Sequence, residues 1–259
     1  MITLLNGDSW NRYEILQKMQ DDEFYYGYLG KHALSSSSLK KLLESPKAYK
    51  ASLRRSDSSQ ALRDGRLIHL CILEPHKIKD LTVIQGTKAK KEFKDATQEI
   101  GEHLVYTESE LNNAYWISEA IQQNNEASFL LEGCEMEVAG VGEIHDLPFR
   151  AKADAIDRSM GRIVDLKTTS SPISKFASSA FFFHYNLQAA LYMRIFEAKE
   201  FIFLVINKDT KDIGIFECSQ EFIDSGWALV EEAIGIYKEF FMSEDSDQLI
   251  NNNVIRGIL

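Results

Sequence analysis

The sequence predicts an α/β protein in which a central mixed β-sheet is flanked by helices and preceded by a helical N-terminal part. Apolar residues recur at helical spacing through the N-terminal half of the chain. Short segments rich in β-branched residues follow between residues 134 and 169, and helix and strand patterns then alternate towards the C-terminus. A group of strands enclosed by helices is typical of one sheet covered by helical layers.

Serine clusters and prolines mark the helix boundaries of the N-terminal half. The serines at 35–38 precede LKKLLESPKAYKASL, which predicts a helix N-cap and a stop near Pro46. A second serine-rich stretch precedes a helix predicted from about Gln60 to Leu73, which ends before Pro75. Residues Glu108–Gln123 predict an amphipathic helix, because their apolar positions share one side.

The second half of the chain supplies the predicted sheet. The segments CEMEVAGV, PFRAKADAID and GRIVDLKTT are separated by turn signals at 145–148 and 159–161, which predicts an antiparallel meander. One continuous helix is then predicted over KFASSAFFFHYNLQAALYMRIF, followed by two strands, FIFLVIN and IGIFEC. The chain is expected to end in a long amphipathic helix, EFIDSGWALVEEAIGIYKEFF.

Charge is distributed unevenly along the chain. The net charge of −10 disfavours a nucleic-acid partner, because such binding relies on Lys and Arg at phosphates. Residues 31–66, however, hold nine basic residues against three acids, a balance of +6. From residue 197 onwards thirteen acids face five bases, a balance of −8. This asymmetry suits a protein that binds a polyanion on one side, although ordinary surface variation explains it equally well.

Composition narrows the class of protein further. The chain contains 44% hydrophobic residues, enough for a buried core, and has no apolar run near the roughly 18 residues that span a membrane. Its first residues lack the pattern of a signal peptide, so the expected compartment is the cytoplasm. Cys71, Cys134 and Cys218 lie far apart without CxxC spacing, which predicts neither a zinc site nor a disulfide framework.

Two carboxylates and a lysine are expected to converge on neighbouring strands. Asp165 and Lys167 are two apart on one strand and therefore share a face, while Asp154 lies on the preceding strand. Two carboxylates can hold Mg²⁺ and leave positions for a phosphate oxygen and a water, and the lysine can orient or deprotonate that water. The pattern predicts phosphodiester hydrolysis, although Asp and Lys at this spacing are more often a polar strand face.

Further polar residues are candidates for the same site. Gln188 and Tyr192 are four apart on a predicted helix, and Tyr185 joins their face. His69 lies in an apolar helical turn, where a histidine is more often a core residue than a ligand. Glu135 and Glu137 lie on one predicted strand, and either could add a carboxylate.

Six motifs in the same order resemble the PD-(D/E)xK nuclease superfamily. They are, from about residue 34 to 195, LSSSSLKKLLESPKAYK, GRLIHLCILEP, EMEVAG, RAKADAID, IVDLKTT and HYNLQAALYM. Within the superfamily the chain looks most like the RecE or exonuclease VIII branch, related to the RecB nuclease domain and often phage-encoded. The resemblance implies a restriction-endonuclease-like core, with residues 1–30 as an N-terminal extension and residues 31–259 as a single nuclease domain.

The resemblance also implies roles for individual residues. The implied metal ligands are His69, Glu137 (with Glu135 as the less favoured register), Asp154, Asp165 and the backbone carbonyl of Leu166. The implied catalytic residues are Asp154, Asp165, Lys167, which would position the nucleophile, and Gln188 and Tyr192, which would hold DNA or support the site. Thr168 and Thr169 extend the strand, and the resemblance implies that they contact phosphate. The metal would be Mg²⁺, with Mn²⁺ as a substitute.

Two departures from the family pattern qualify the resemblance. Ala153 replaces the proline that usually precedes the second-strand aspartate, which weakens the assignment to the RecE branch. Ser45 stands where iron–sulfur relatives have a cysteine, so no iron–sulfur cluster is expected.

The resemblance implies an exonuclease that digests linear double-stranded DNA 5′ to 3′ for recombination. It also implies a ring-like homo-oligomer, a single-strand annealing partner, and a bacterial or phage-infected host cell. Two alternatives stay open: a structure-specific endonuclease or nickase on the same fold, and a catalytically idle DNA- or protein-binding module.

Overall fold

The computed structural model describes residues 1–54 and 59–254, so Arg55, Asp57 and Arg256 of the charged segments lie outside the described residues. Twelve α-helices occur in these ranges: α1 (Arg12–Lys18), α2 (Leu29–His32), α3 (Ser36–Glu44), α4 (Pro46–Ser52), α5 (Gln60–Leu73), α6 (Lys91–Ile100), α7 (Glu108–Gln123), α8 (Asn125–Leu131), α9 (Phe176–Phe182), α10 (Tyr185–Phe196), α11 (Gln220–Phe241) and α12 (Ser246–Asn252). The described strands are β1 (Ile2–Thr3), β2 (Ser9–Trp10), β3 (Thr82–Ile84), β4 (Val105–Thr107), β5 (Glu135–Ile144), β6 (Leu147–Asp157), β7 (Arg162–Thr169), β8 (Glu200–Asn207) and β9 (Ile213–Glu217). No helix in the described ranges is both long and apolar enough to cross a membrane.

The central sheet has five strands in the order β5-β6-β7-β8-β9. Strands β7 and β8 are parallel and the other neighbours are antiparallel, so the sheet is mixed. The predicted meander is β5-β6-β7, and α9 and α10 make the crossover between the parallel strands. The predicted α/β class, with a mixed sheet flanked by helices and a helical N-terminal part, is confirmed.

Both faces of the sheet are covered by apolar side chains. On one face, residues of α3, α10 and α11 pack with alternate sheet residues such as Ile163 and Phe203. On the other face, residues of α5 and α7 pack with Val164 and Leu166. Helix α11 approaches α10 closely, since a Cβ at Gly226 would overlap the backbone carbonyl of Asn186. The helices therefore fix side chains on both faces of β7.

Local sequence signals explain where the helices begin. Ser35 caps α3 and Thr107 caps α7, each through a capping box with the residue three positions later. Ser45 caps α4, which has Pro46 in its first turn. The predicted stop near Pro46 is therefore the break between two short helices, α3 and α4. The predicted bounds of α5 and α7 agree with the structure.

The predicted continuous helix after β7 is wrong in one respect. It is divided into α9 and α10, because His184 has a left-handed backbone conformation with φ of 51°. Only the last part of this segment, α10, carries the Gln188 and Tyr192 side chains. A left-handed histidine is uncommon, and periodicity alone does not reveal it.

The N-terminal segment packs on the outer strand β5. A π-helix at Glu23–Tyr28 contributes Tyr25 to a small core that also contains Ile15, Ala139 and Val141. Just after this segment, Leu34 pairs with β6, because its N–H donates to the Pro148 carbonyl and its carbonyl accepts from the Arg150 N–H. The boundary at residue 30 stays a prediction.

Candidate metal and nuclease site

The site begins where strands β6 and β7 separate. Their pairing runs from Asp157–Arg162 to Ala155–Val164 and then stops. At the next position the Asp154 side chain replaces the backbone pairing, since its Oδ2 accepts a hydrogen bond of 2.7 Å from the backbone N–H of Leu166. The carboxylate of Asp154 is thereby fixed at the opening between the two strands.

Glu137 occupies an irregular position on the neighbouring strand. Its φ is 52°, a left-handed conformation that costs an ordinary residue about 1–2 kcal/mol. Met136 and Val138 keep their partners on β6, while Glu137 lies opposite Asp154 without pairing. Met136 packs with the α5 side of the sheet and Val138 with the α10 side, so the strand changes faces at Glu137. Glu135, its alternative, is exposed and pairs with Arg158 at 3.1 Å.

Three predicted ligands form one cluster. His69 from α5, Glu137 from β5 and Asp154 from β6 each offer a donor atom, and these atoms lie within 4.8 Å of one another. The His69 Nδ1 is 3.6 Å from Asp154 Oδ2. Burial and the neighbouring Asp154 raise the pKa of Glu137 to about 8. A cation would relieve this crowding of acidic groups, and two carboxylates with an imidazole suit a divalent metal.

Asp165 and Lys167 form a second, adjoining group on β7. Asp165 is 1% exposed, the Lys167 ammonium contacts its Oδ2, and Gln188 Nε2 donates a 2.6 Å hydrogen bond to its Oδ1. Burial lowers the pKa of Lys167, but Asp165 and Asp154 outweigh it and raise that pKa above its ordinary value. The structure thus brings together three predicted catalytic side chains, those of Asp165, Lys167 and Gln188. The Asp165 carboxylate bonds to the other two and does not belong to the cluster of the three other predicted side-chain ligands.

An additional lysine lies beside this pair. Lys40 of α3 and Lys167 of β7 each place their Nζ 4.9 Å from the centre of the Tyr185 ring. Burial, and then the positive charge of Lys167, lower the pKa of Lys40 to about 7. Sequence reasoning missed Lys40, because it is one of nine basic residues between residues 31 and 66 and its place beside Tyr185 depends on how α3 packs. The available signal was its spacing of four from Ser36 on α3, which places both side chains on one face of the helix.

Two predicted residues have a supporting position in the structure. Tyr192 is buried between Phe196 and Phe201, and burial raises the pKa of its hydroxyl well above the ordinary value. Leu166 has its side chain in the core and its N–H on Asp154. Direct contact of Tyr192 with DNA, and of the Leu166 carbonyl with metal, stay predictions.

Comparisons with known proteins identify a family for the chain and a solved structure of similar fold. The model of a family described as "PDDEXK-like domain of unknown function (DUF3799)" matches residues 35–248. The fold is similar to a protein from Eubacterium rectale named "Putative exonuclease", with a TM-score of 0.62, 16% identity, and coverage of 92% of this chain and 95% of that one. A phage related exonuclease from Haemophilus somnus 129PT matches with a TM-score of 0.36, 16% identity, and coverage of 82% and 96%. No curated protein matches.

Proposed function

The chain belongs to the DUF3799 family of PDDEXK-like domains, and we therefore propose that it is a divalent-metal-dependent deoxyribonuclease. Its membership of the PD-(D/E)xK superfamily agrees with the motifs in its sequence. The observation that carries the proposal is the cluster of His69, Glu137 and Asp154 next to the Asp165–Lys167 pair. Placement in the RecE branch remains a prediction.

The residues divide the work of phosphodiester hydrolysis. His69, Glu137 and Asp154 would hold the cation, and Asp165 would join them if its carboxylate exchanged one of its present partners. A bound Mg²⁺ or Mn²⁺ supplies charge stabilisation for the phosphate and a more acidic water. Lys167 lies where it can donate hydrogen bonds to a phosphate oxygen and orient the attacking water. Gln188 holds the Asp165 carboxylate in place through its 2.6 Å bond.

The proposed substrate is the end of linear double-stranded DNA, digested 5′ to 3′ in recombination. The exonuclease name of the Eubacterium rectale protein, whose fold is similar, supports action at ends. A ring-like oligomer, a single-strand annealing partner and a cytoplasmic site of action in a bacterial or phage-infected cell complete the proposal, and each follows from the resemblance of the motifs.

End-labelled linear duplex and the same sequence as a closed circle test this function. We expect digestion of the linear form with Mg²⁺ or Mn²⁺, none with a chelator, and none by Asp165→Ala. The variant Glu135→Gln is the matched control, since its carboxylate lies on β5 but outside the cluster. Equal digestion by wild type and Asp165→Ala would refute the assignment, and cutting of the closed circle would replace the exonuclease by an endonuclease.

A further inference from the structure

Three consecutive phenylalanines are exposed at the end of α9. Phe181, Phe182 and Phe183 are 52%, 78% and 52% exposed. Burial of such a ring is favourable, so three exposed neighbours form an unusual surface. Phe181 rests on Phe222 of α11 with their ring centres 5.0 Å apart, which anchors the group. The left-handed turn at His184 follows directly and separates these rings from α10.

These rings connect to the proposed active site. The ring centres of Phe182 and Phe183 are 5.0 Å apart, and those of Phe183 and Tyr185 are 5.9 Å apart. The ring of Tyr185 in turn has the ammonium groups of Lys40 and Lys167 at 4.9 Å. An aromatic row therefore runs from an exposed tip to a pair of lysines beside Asp165.

This combination selects one kind of occupant. Nucleobases stack on aromatic rings, and the phosphates that link them pair with basic side chains, so a row with rings outside and ammonium groups inside matches a nucleic-acid strand. Paired bases inside a duplex keep their faces covered by neighbouring base pairs. The rings can accept base faces where a strand is unpaired, as at a frayed or resected end.

We propose that Phe182 and Phe183 form a stacking platform for unpaired bases of a single DNA strand whose backbone reaches Lys40 and Lys167. This inference rests on the proposed function and deepens it, because it makes an unpaired end the form of substrate that enters the site. The rings contact bases and take no part in the bond cleavage.

Binding without cleavage isolates the platform. Fluorescence anisotropy in excess chelator would compare a labelled oligothymidylate of about 16 nucleotides with an abasic oligomer of the same length and charge. We expect wild type to bind the oligothymidylate about 5- to 150-fold more tightly, since one lost base stack changes affinity by such a factor. The Phe182→Ala/Phe183→Ala variant should bind both oligomers about equally.

Two further variants guard against other causes. Phe129→Ala removes a ring that is 71% exposed on α8, which packs against the opposite face of the sheet, and should keep the preference. Phe182→Leu keeps the apolar bulk and removes the ring, so it should lower the preference as well. Circular dichroism of each variant checks the fold.

The proposal is overturned if wild type binds both oligomers equally or neither, or if the double variant keeps the wild-type preference. It is also overturned if sedimentation shows that the double variant loses self-association, because the rings would then meet a second copy of the chain. A preference for bases without any nuclease activity would refute the proposed function alone. Nuclease activity without a preference would refute the platform alone.

Discussion

Replacing Glu137 by glutamine should stabilise the metal-free protein at neutral pH while it removes activity. The Glu137 carboxylate is largely buried beside Asp154, and its pKa is raised from 4.5 to about 8. Because the folded-state pKa lies above the unfolded value, the contribution of protonated Glu137 to the stability of the wild-type protein is fully present below pH 4.5. That contribution is lost as the pH rises through 8. At pH 7 the pH lies about two and a half units above the unfolded pKa, and each pH unit lowers the stability of the wild-type protein by about 1.4 kcal/mol.

The expected gain is therefore about 2–3 kcal/mol at pH 7 for Glu137→Gln, after allowance for solvent that reaches the side chain. Urea unfolding in excess chelator, measured from pH 4 to pH 8, should show no gain at the acidic end and a growing gain above pH 5. Glu135→Gln, which removes only an exposed ion pair, should follow wild type within about 1 kcal/mol at every pH. A difference between Glu137→Gln and wild type that does not vary with pH would contradict the crowding of the two carboxylates.

Three other changes test the site and its support. Asp154→Asn keeps an oxygen for the strand hydrogen bond but removes a charged ligand, so nuclease activity should fall at least about 100-fold while the urea midpoint changes little; unchanged activity would exclude this ligand. Gln188→Ala leaves the buried Asp165 carboxylate without its 2.6 Å donor and should cost about 1–3 kcal/mol in urea unfolding, and a smaller loss would mean that this bond is dispensable. In α11, Gly226→Ala should destabilise the protein by about 1–3 kcal/mol or more, because its Cβ would meet the backbone of α10. Gly235→Ala, with open space around it, should stabilise the protein by about 0.5–1 kcal/mol. Equal effects of the two substitutions would refute the close contact between the helices.

Regular periodicity made much of the fold predictable. The bounds of α5 and α7 follow from apolar spacing and from capping residues such as Ser59 and Thr107, which act within one helical turn. The strands around Asp154 and Asp165 follow from β-branched residues and short turns. These are local signals, and no distant contact is needed to interpret them.

The features that sequence reasoning missed depend on contacts between distant segments. The left-handed backbone of Glu137 and of His184 leaves no mark on a hydrophobic pattern, because neither residue is a glycine. Lys40 joins Lys167 at the Tyr185 ring only because α3 packs beside α10. Periodicity placed Asp165 and Lys167 on one face correctly, but it could not tell that Asp165 would be engaged by Gln188.

The bond between Asp154 and the Leu166 N–H gives one side chain two duties. Asp154 is a proposed ligand of the cation, and it also makes the last hydrogen bond between β6 and β7 before the two strands separate. Substitutions that lack an oxygen acceptor, such as alanine, would leave a buried backbone donor unmet and weaken the sheet together with the chemistry. Only variants that keep an oxygen acceptor at position 154 can therefore lose catalysis without also losing stability. In related chains, we expect this position to hold only side chains that have such an acceptor.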